Sequence, residues 1–147
     1  MKLRLVLVAV ALIVTLGACD VQPAPPNGGL RPDQIAAGNA INADRRAAGL
    51  SVLFDIADLQ AKAQAWADQV AADGYLHHSN LWDGITTRAC ALGENIAVSS
   101  SVAGNEAELM ADPPHRANVL GNWDLVGVGV AYRDGSVVTV QDFMLTC

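Results

Sequence analysis

The sequence has no apolar run long enough to cross a bilayer. Its N-terminal run, Leu5 to Leu16, is 12 residues against the roughly 20 that a spanning helix needs, which argues against a permanent transmembrane segment. Basic residues are scarce, with nine Lys and Arg against fifteen Asp and Glu and a formal charge of −6. An acidic chain repels polyanions, so nucleic acid and anionic headgroups are poor partners on charge alone. There are three cysteines and no C-x-x-C spacing, which leaves a cysteine-based metal site without support. Nor is a nucleophile arrangement legible: Ser79 directly follows His78, and sequence neighbours seldom make a productive nucleophile–base geometry. Only three histidines exist, His77, His78 and His115, two of them adjacent in "GYLHHSN". In an extended segment successive side chains point to opposite faces, so one of the doublet at most faces a given pocket.

What is present begins with an export signal. Lys2 and Arg4 precede the apolar run, and small residues follow it, the layout of a secretory leader. The ending "LGAC", residues 16–19, resembles the lipobox of a bacterial lipoprotein. That resemblance implies cleavage before Cys19 and a lipid on Cys19, with the domain extracytoplasmic and membrane-anchored; ordinary cleavage with Cys19 as a spare thiol is the alternative. Stable anchoring takes more than one acyl chain. Loss of residues 1–18 leaves seven Lys and Arg against fifteen Asp and Glu, a net of −8. Residues 19–33, with "DVQPAPPNGGLRP", carry four prolines and two glycines and read as a semi-extended tether. Cys90 and Cys147 then form an even pair in an exported domain, which reads as a disulfide. Closing so long a loop is worth about 4 kcal/mol on the chain-entropy view. Free thiols are the other reading.

The remaining residues, 34–147, suit one domain. A helix is expected over about 33–48, starting at Pro32, stopping at Gly49 and turning Ile35, Ala36 and Ile41 inward. A second runs through "DIADLQAKAQAWADQVAADG", with Asp55 or Asp58 as cap, Gly74 as stop and a core face of Leu59, Ala63, Trp66 and Val70. Residues 75–101 show no sustained period and are expected to be loop with short extended pieces. A third helix is placed in "VAGNEAELMA" and a short fourth in "ADPPHRANVLG", with Asp112 as N-cap, Pro113 in the first helical position and His115 in the first turn. The alternation in "LVGVGVAY", the "DG" turn and "SVVTVQDF" make a hairpin, pairing Tyr132 with Val137, Val130 with Thr139 and Val126 with Phe143. Its Gly127 and Gly129 face is shallow, open to another backbone or a ligand. Helices first and strands last point to a layered α+β domain.

The order of motifs adds what composition lacks. "INADRRAAGL", a helix with Leu59, Ala63 and "WA", then "HS", "CALGENIA", "PHRANVL", "VGVGVA" and "VQDF" together resemble the bacterial branch of the CAP superfamily of cysteine-rich secretory, antigen-5 and pathogenesis-related proteins. The resemblance implies a three-layer α-β-α sandwich around an antiparallel sheet, with a cleft lined by histidines and acids. Matched residue by residue, the cleft set is His78, Glu94 and His115, and His77 becomes a flanking residue. Two imidazoles and a carboxylate make a common zinc set, with His78 and His115 as ligands and Asp112 as a further candidate. The same groups also suit an acid/base pair, making Glu94 and His115 the catalytic candidates. The chain departs from the family pattern in that Leu109 takes a tryptophan-like place, and neither Glu106 nor Glu108 aligns with the second acidic position. The implied activity is binding of a small lipid, sterol or envelope component, with or without a divalent metal. A metal-assisted hydrolase using Glu94 as base and an interaction module with a vestigial cleft are the alternatives.

Overall fold

The computed structural model describes residues 29–147; the signal sequence, the Cys19 anchor and most of the tether lie outside the described residues. The elements follow in the order α1 (Pro32–Ala47), β1 (Phe54–Asp55), α2 (Ala57–Asp73), β2 (Ala89–Ser99), α3 (Val102–Ala111), α4 (Pro113–Val119), β3 (Leu125–Arg133) and β4 (Ser136–Thr146).

α1 starts at Pro32, whose missing N–H is one of the orphans of a first turn. The Arg31 backbone N–H donates to the Gln34 side chain at 2.9 Å, so the entry is fixed from both sides. The buried face is Gln34, Ala37, Ile41 and Arg45, and Ile35, expected inside, is 47% exposed. The spacing of that face is helical, but two of its members are polar and hid it from a reading of apolar residues alone. Arg45 serves the fold by donating to the carbonyls of Ser51, Val119 and Gly121.

α2 ends where expected, at Gly74, whose φ of 78° is left-handed. Its N-cap is Ile56, not Asp55 or Asp58. The Asp58 carboxylate instead accepts from the Thr86 and Thr87 amides at 2.9 and 2.7 Å. Burial would raise its pKa, yet these amide donors outweigh that and hold it well below the usual carboxylate range. Leu59, Ala63, Ala67, Val70 and Ala71 are buried, and Trp66 is half-buried at the rim. The small residues let α2 lie directly on the sheet. A Cβ at Gly127 or Gly129 would collide with the Leu59 or Ala63 carbonyl, so it is another backbone that fills the shallow face.

The sheet order is β1-β3-β4-β2. β3 and β4 pair antiparallel with Tyr132 opposite Val137, Val130 opposite Thr139 and Val126 opposite Phe143, as the turn at Asp134 and Gly135 dictates. β2 pairs antiparallel with β4 from Ala89 to Ser99, which corrects the expectation of loop: eleven residues of that stretch are strand. β1 is two residues, parallel to β3, so the sheet is antiparallel except at that edge. Among the described residues no strand pairs with the β3 edge beyond β1, and α2 supplies a partner with side chains. Gln60 exchanges hydrogen bonds with the backbone of Val128, and Gln64 does the same with Val130. A primary amide has one donor side and one acceptor side, as a peptide has, so it blunts an edge that would otherwise template pairing.

Two apolar clusters sandwich the sheet. Ala37 and Ile41 of α1 and Val119 of α4 pack on Val126, Val128, Val130 and Phe143; Ala63, Ala67 and Val70 of α2 pack on Ile96, Val138 and Val140. The fold is therefore the expected α-β-α sandwich, each fully buried large side chain worth about 1.5–3 kcal/mol. Cys90 and Cys147 form a disulfide, joining the start of β2 to the chain end beside it.

Candidate functional site

Strand alternation decides which polar groups meet. Glu94 lies opposite Asp142 across β2 and β4, and Asn95 lies opposite Gln141. Adjacent strand residues point to opposite faces. The first pair looks at α2 and the second at α3 and α4, giving two buried polar clusters back to back.

On the α2 face the Lys62 Nζ stands 3.8 Å from Glu94 Oε2 and 3.7 Å from Asp142 Oδ2 and hydrogen-bonds Ser79 Oγ. Those carboxylate distances are ion-pair contacts, too long for hydrogen bonds. Glu94 Oε1 accepts from the Ser79 amide at 3.0 Å and lies 2.6 Å from His78 Nδ1. Glu94 Oε2 and both Asp142 oxygens are buried without a hydrogen bond, a costly condition in a low-dielectric interior. Burial raises the Asp142 carboxyl to about 7; the Lys62 charge opposes this and the Glu94 charge adds to it. The His78 ring is 63% exposed, although its Nδ1 is tied to a buried acid, so its Nε2 edge is the part offered to solvent. Beside it lies a cleft of about 500 Å³ whose lining includes Lys62, Trp66, Ser79 and Asp83. His77 turns elsewhere: its ring meets Asp73 at 2.9 Å and stands edge-on to Trp66.

On the other face the fully buried Asn95 donates to the His115 carbonyl at 3.0 Å and to Gln141 Oε1 at 3.1 Å, and accepts from Asn118 at 2.9 Å. Gln141 in turn donates to Glu106 Oε2. Burial lifts the Glu106 carboxyl to about 7 against the lowering effect of Gln141. Asn105 donates to the Val137 carbonyl and to Thr139 Oγ1. Asp112 holds the N-cap position of α4 but makes no side-chain cap bond; its carboxylate lies 2.6 Å from His115 Nδ1.

The structure thus brings His78 to Glu94 and leaves the His115 ring with Asp112. Among the described residues no ion pair joins His115 to Glu94. The zinc expectation for His78, His115 and Asp112 does not fit this arrangement: among the described residues no group of three or more His, Cys, Asp or Glu converges to hold a metal ion. Asn95, one residue on from Glu94, instead holds the backbone of α4 through the His115 carbonyl. Sequence reasoning missed Lys62 and Asp142. A signal existed for the first, since Lys62 falls between Leu59, Ala63 and Trp66 on the inward stripe of α2, where a lysine needs an acidic partner. Asp142 is legible only through the register that places it opposite Glu94.

Against known proteins, residues 39–147 match the model of the cysteine-rich secretory protein family, CAP. The chain belongs to the CAP family. Solved CAP-type folds agree. An extracellular SCP-domain protein of Bacillus anthracis superposes over 80% of this chain with a TM-score of 0.68 at 20% identity, and the chain spans 45% of that protein's length. An outer surface protein of Borrelia burgdorferi superposes with a TM-score of 0.70 at 15% identity, covering 80% of this chain and 95% of the other. The venom allergen-like protein 4 of Schistosoma mansoni gives 0.64 at 15% identity, covering 79% and 90%. No curated protein matches the chain. At these identities the likeness is one of fold. In this CAP domain no described helix is long and apolar enough to cross a membrane.

Proposed function

We propose that this CAP-domain protein is exported, held at a membrane through a lipid on Cys19, and binds a small amphipathic lipid, sterol or envelope fragment at the His78 edge of the α2 face. The observation that carries the reading is the His78–Glu94 contact of 2.6 Å: a ring that stands mostly in solvent has one nitrogen fixed by a buried carboxylate. An imidazole oriented in this way presents Nε2 to a ligand hydroxyl or carboxylate at little entropic cost. The neighbouring cleft supplies an apolar wall at Trp66 and polar groups at Ser79 and Asn80, the mixture that small-molecule sites use. The Bacillus protein is extracellular and the Borrelia protein an outer surface protein, which supports export. Metal-assisted hydrolysis gains no support from donors that do not converge.

The test is a titration of detergent-solubilised mature protein with an NBD-labelled fatty acid, an NBD-labelled sterol and a soluble muropeptide. At least one probe should bind, and His78→Ala should weaken it by about tenfold or more, the loss of roughly 1.4 kcal/mol, with His77→Ala near wild type. Equal losses in the two variants, or no binding of any probe, would sink the reading. For the anchor, Cys19→Ser should move the protein from the membrane fraction to the soluble one.

A further inference from the structure

We propose that Lys62 and Asp142 condense to an intramolecular amide bond between α2 and β4, with Glu94 relaying the proton. Three observations carry it. The Lys62 Nζ lies 3.7 Å from Asp142 Oδ2 and 3.8 Å from Glu94 Oε2, with all three side chains almost wholly buried. Glu94 Oε1 is fully engaged by His78 and the Ser79 amide, which fixes the carboxylate and leaves Oε2 turned to the pair. Both Asp142 oxygens and that Oε2 are the buried atoms without hydrogen bonds on this face.

The chemistry follows from burial. Inside a protein a lysine–carboxylate pair is expensive to keep ionised, and passing the proton from nitrogen to oxygen gives two neutral groups in contact. The neutral amine attacks Asp142 Cγ; Glu94 Oε2 takes the proton from the attacking nitrogen and returns it to the departing hydroxyl. One C–N bond forms, one C–O bond breaks and one water leaves through the cleft that Lys62 and Ser79 line. Nothing is oxidised or reduced, and no co-reactant is needed. Proximity supplies the driving geometry, as for any reaction made unimolecular by a scaffold. The hydrogen bond from Nζ to Ser79 Oγ restrains the amine beside the two acids. In the product the charges of Lys62 and Asp142 are gone, and the new amide N–H faces the orphaned Glu94 Oε2. Together with the Cys90–Cys147 disulfide, the bond ties α2, β2 and β4 covalently. It is independent of what the cleft binds.

Peptide mapping decides it. The mature protein is reduced, alkylated and digested with trypsin. Cleavage after Lys62 should be absent, and residues 47–88 should appear joined to residues 134–147 at the summed mass less one water. Lys62→Arg and Asp142→Ala should each yield the separate peptides. Glu94→Gln should do so too while the circular dichroism and the disulfide persist; joining to the wild-type extent in Glu94→Gln would overturn the relay. Free 47–62 and 134–147 from folded wild-type protein would overturn the bond itself.

Discussion

Glu94 and Asn95 are neighbours in the chain, yet each belongs to a different chemistry. The Glu94 face gathers two carboxylates, one ammonium and an exposed imidazole, and leaves three oxygens without hydrogen bonds. The Asn95 face is built mainly from amides, linking β2, β4 and α4 through Asn95, Gln141 and Asn118, and leaves two buried oxygens, Asn105 Oδ1 and Glu106 Oε1, without a hydrogen bond. Amides carry donor and acceptor together, so a buried network of them can close with no net charge. Carboxylates only accept, so the α2 face must recruit a cation, hold a proton or react. The difference teaches that one strand can carry a structural seam on one side and a reactive cluster on the other.

The largest effect expected is that of Lys62→Met, which strands two buried acids and should cost about 3–5 kcal/mol in urea unfolding. Adding Asp142→Asn should return the part due to the stranded charge; no return would break the electrostatic half of the comparison. Next, Asn95→Ala removes three hydrogen bonds from a fully buried position and should cost about 2–3 kcal/mol, with no recovery on changing pH. A loss below about 0.5 kcal/mol would show the seam to be incidental.

pH sharpens the contrast. Glu106 holds its proton in the folded state up to about 7, above its ordinary 4.5, so between those values the folded chain binds more protons than the unfolded one. Its contribution is whole below about pH 4.5 and is lost as pH rises through 7. Tm should therefore fall from pH 5 to pH 8, and Glu106→Gln should flatten that fall. Asp142, raised in the same direction, would leave a residual slope as a free acid and none once condensed with Lys62. The smallest effect is that of His78→Ala on stability, below about 1 kcal/mol, because the ring is mostly exposed and the Ser79 amide still holds Glu94 Oε1.

Much of the fold was legible. The hairpin followed from alternation and the Asp134–Gly135 turn, the helix ends from Gly74 and Pro113, and the disulfide from the two cysteines left once Cys19 is set aside for the anchor. β2 was not, because Glu94 and Asn95 are both buried and erase the alternation that marks a half-buried strand. Of the site, His78 and Glu94 were found by motif resemblance and do meet. Asp142 and Lys62 were invisible because the contact is made by register and helix rotation, which no spacing records. Asp112 was read as a cap from its place before Pro113; its carboxylate serves His115 instead, a choice set by the i, i+3 geometry of the first turn.

The central claim is that Glu94 anchors His78 while Asp112 holds His115, and zinc titration by calorimetry tests it most directly. Wild-type protein, His78→Ala and His115→Ala would be titrated side by side. No one-to-one zinc uptake that depends on both imidazoles is expected. One zinc per chain, bound by the wild type and lost in either variant, would contradict it.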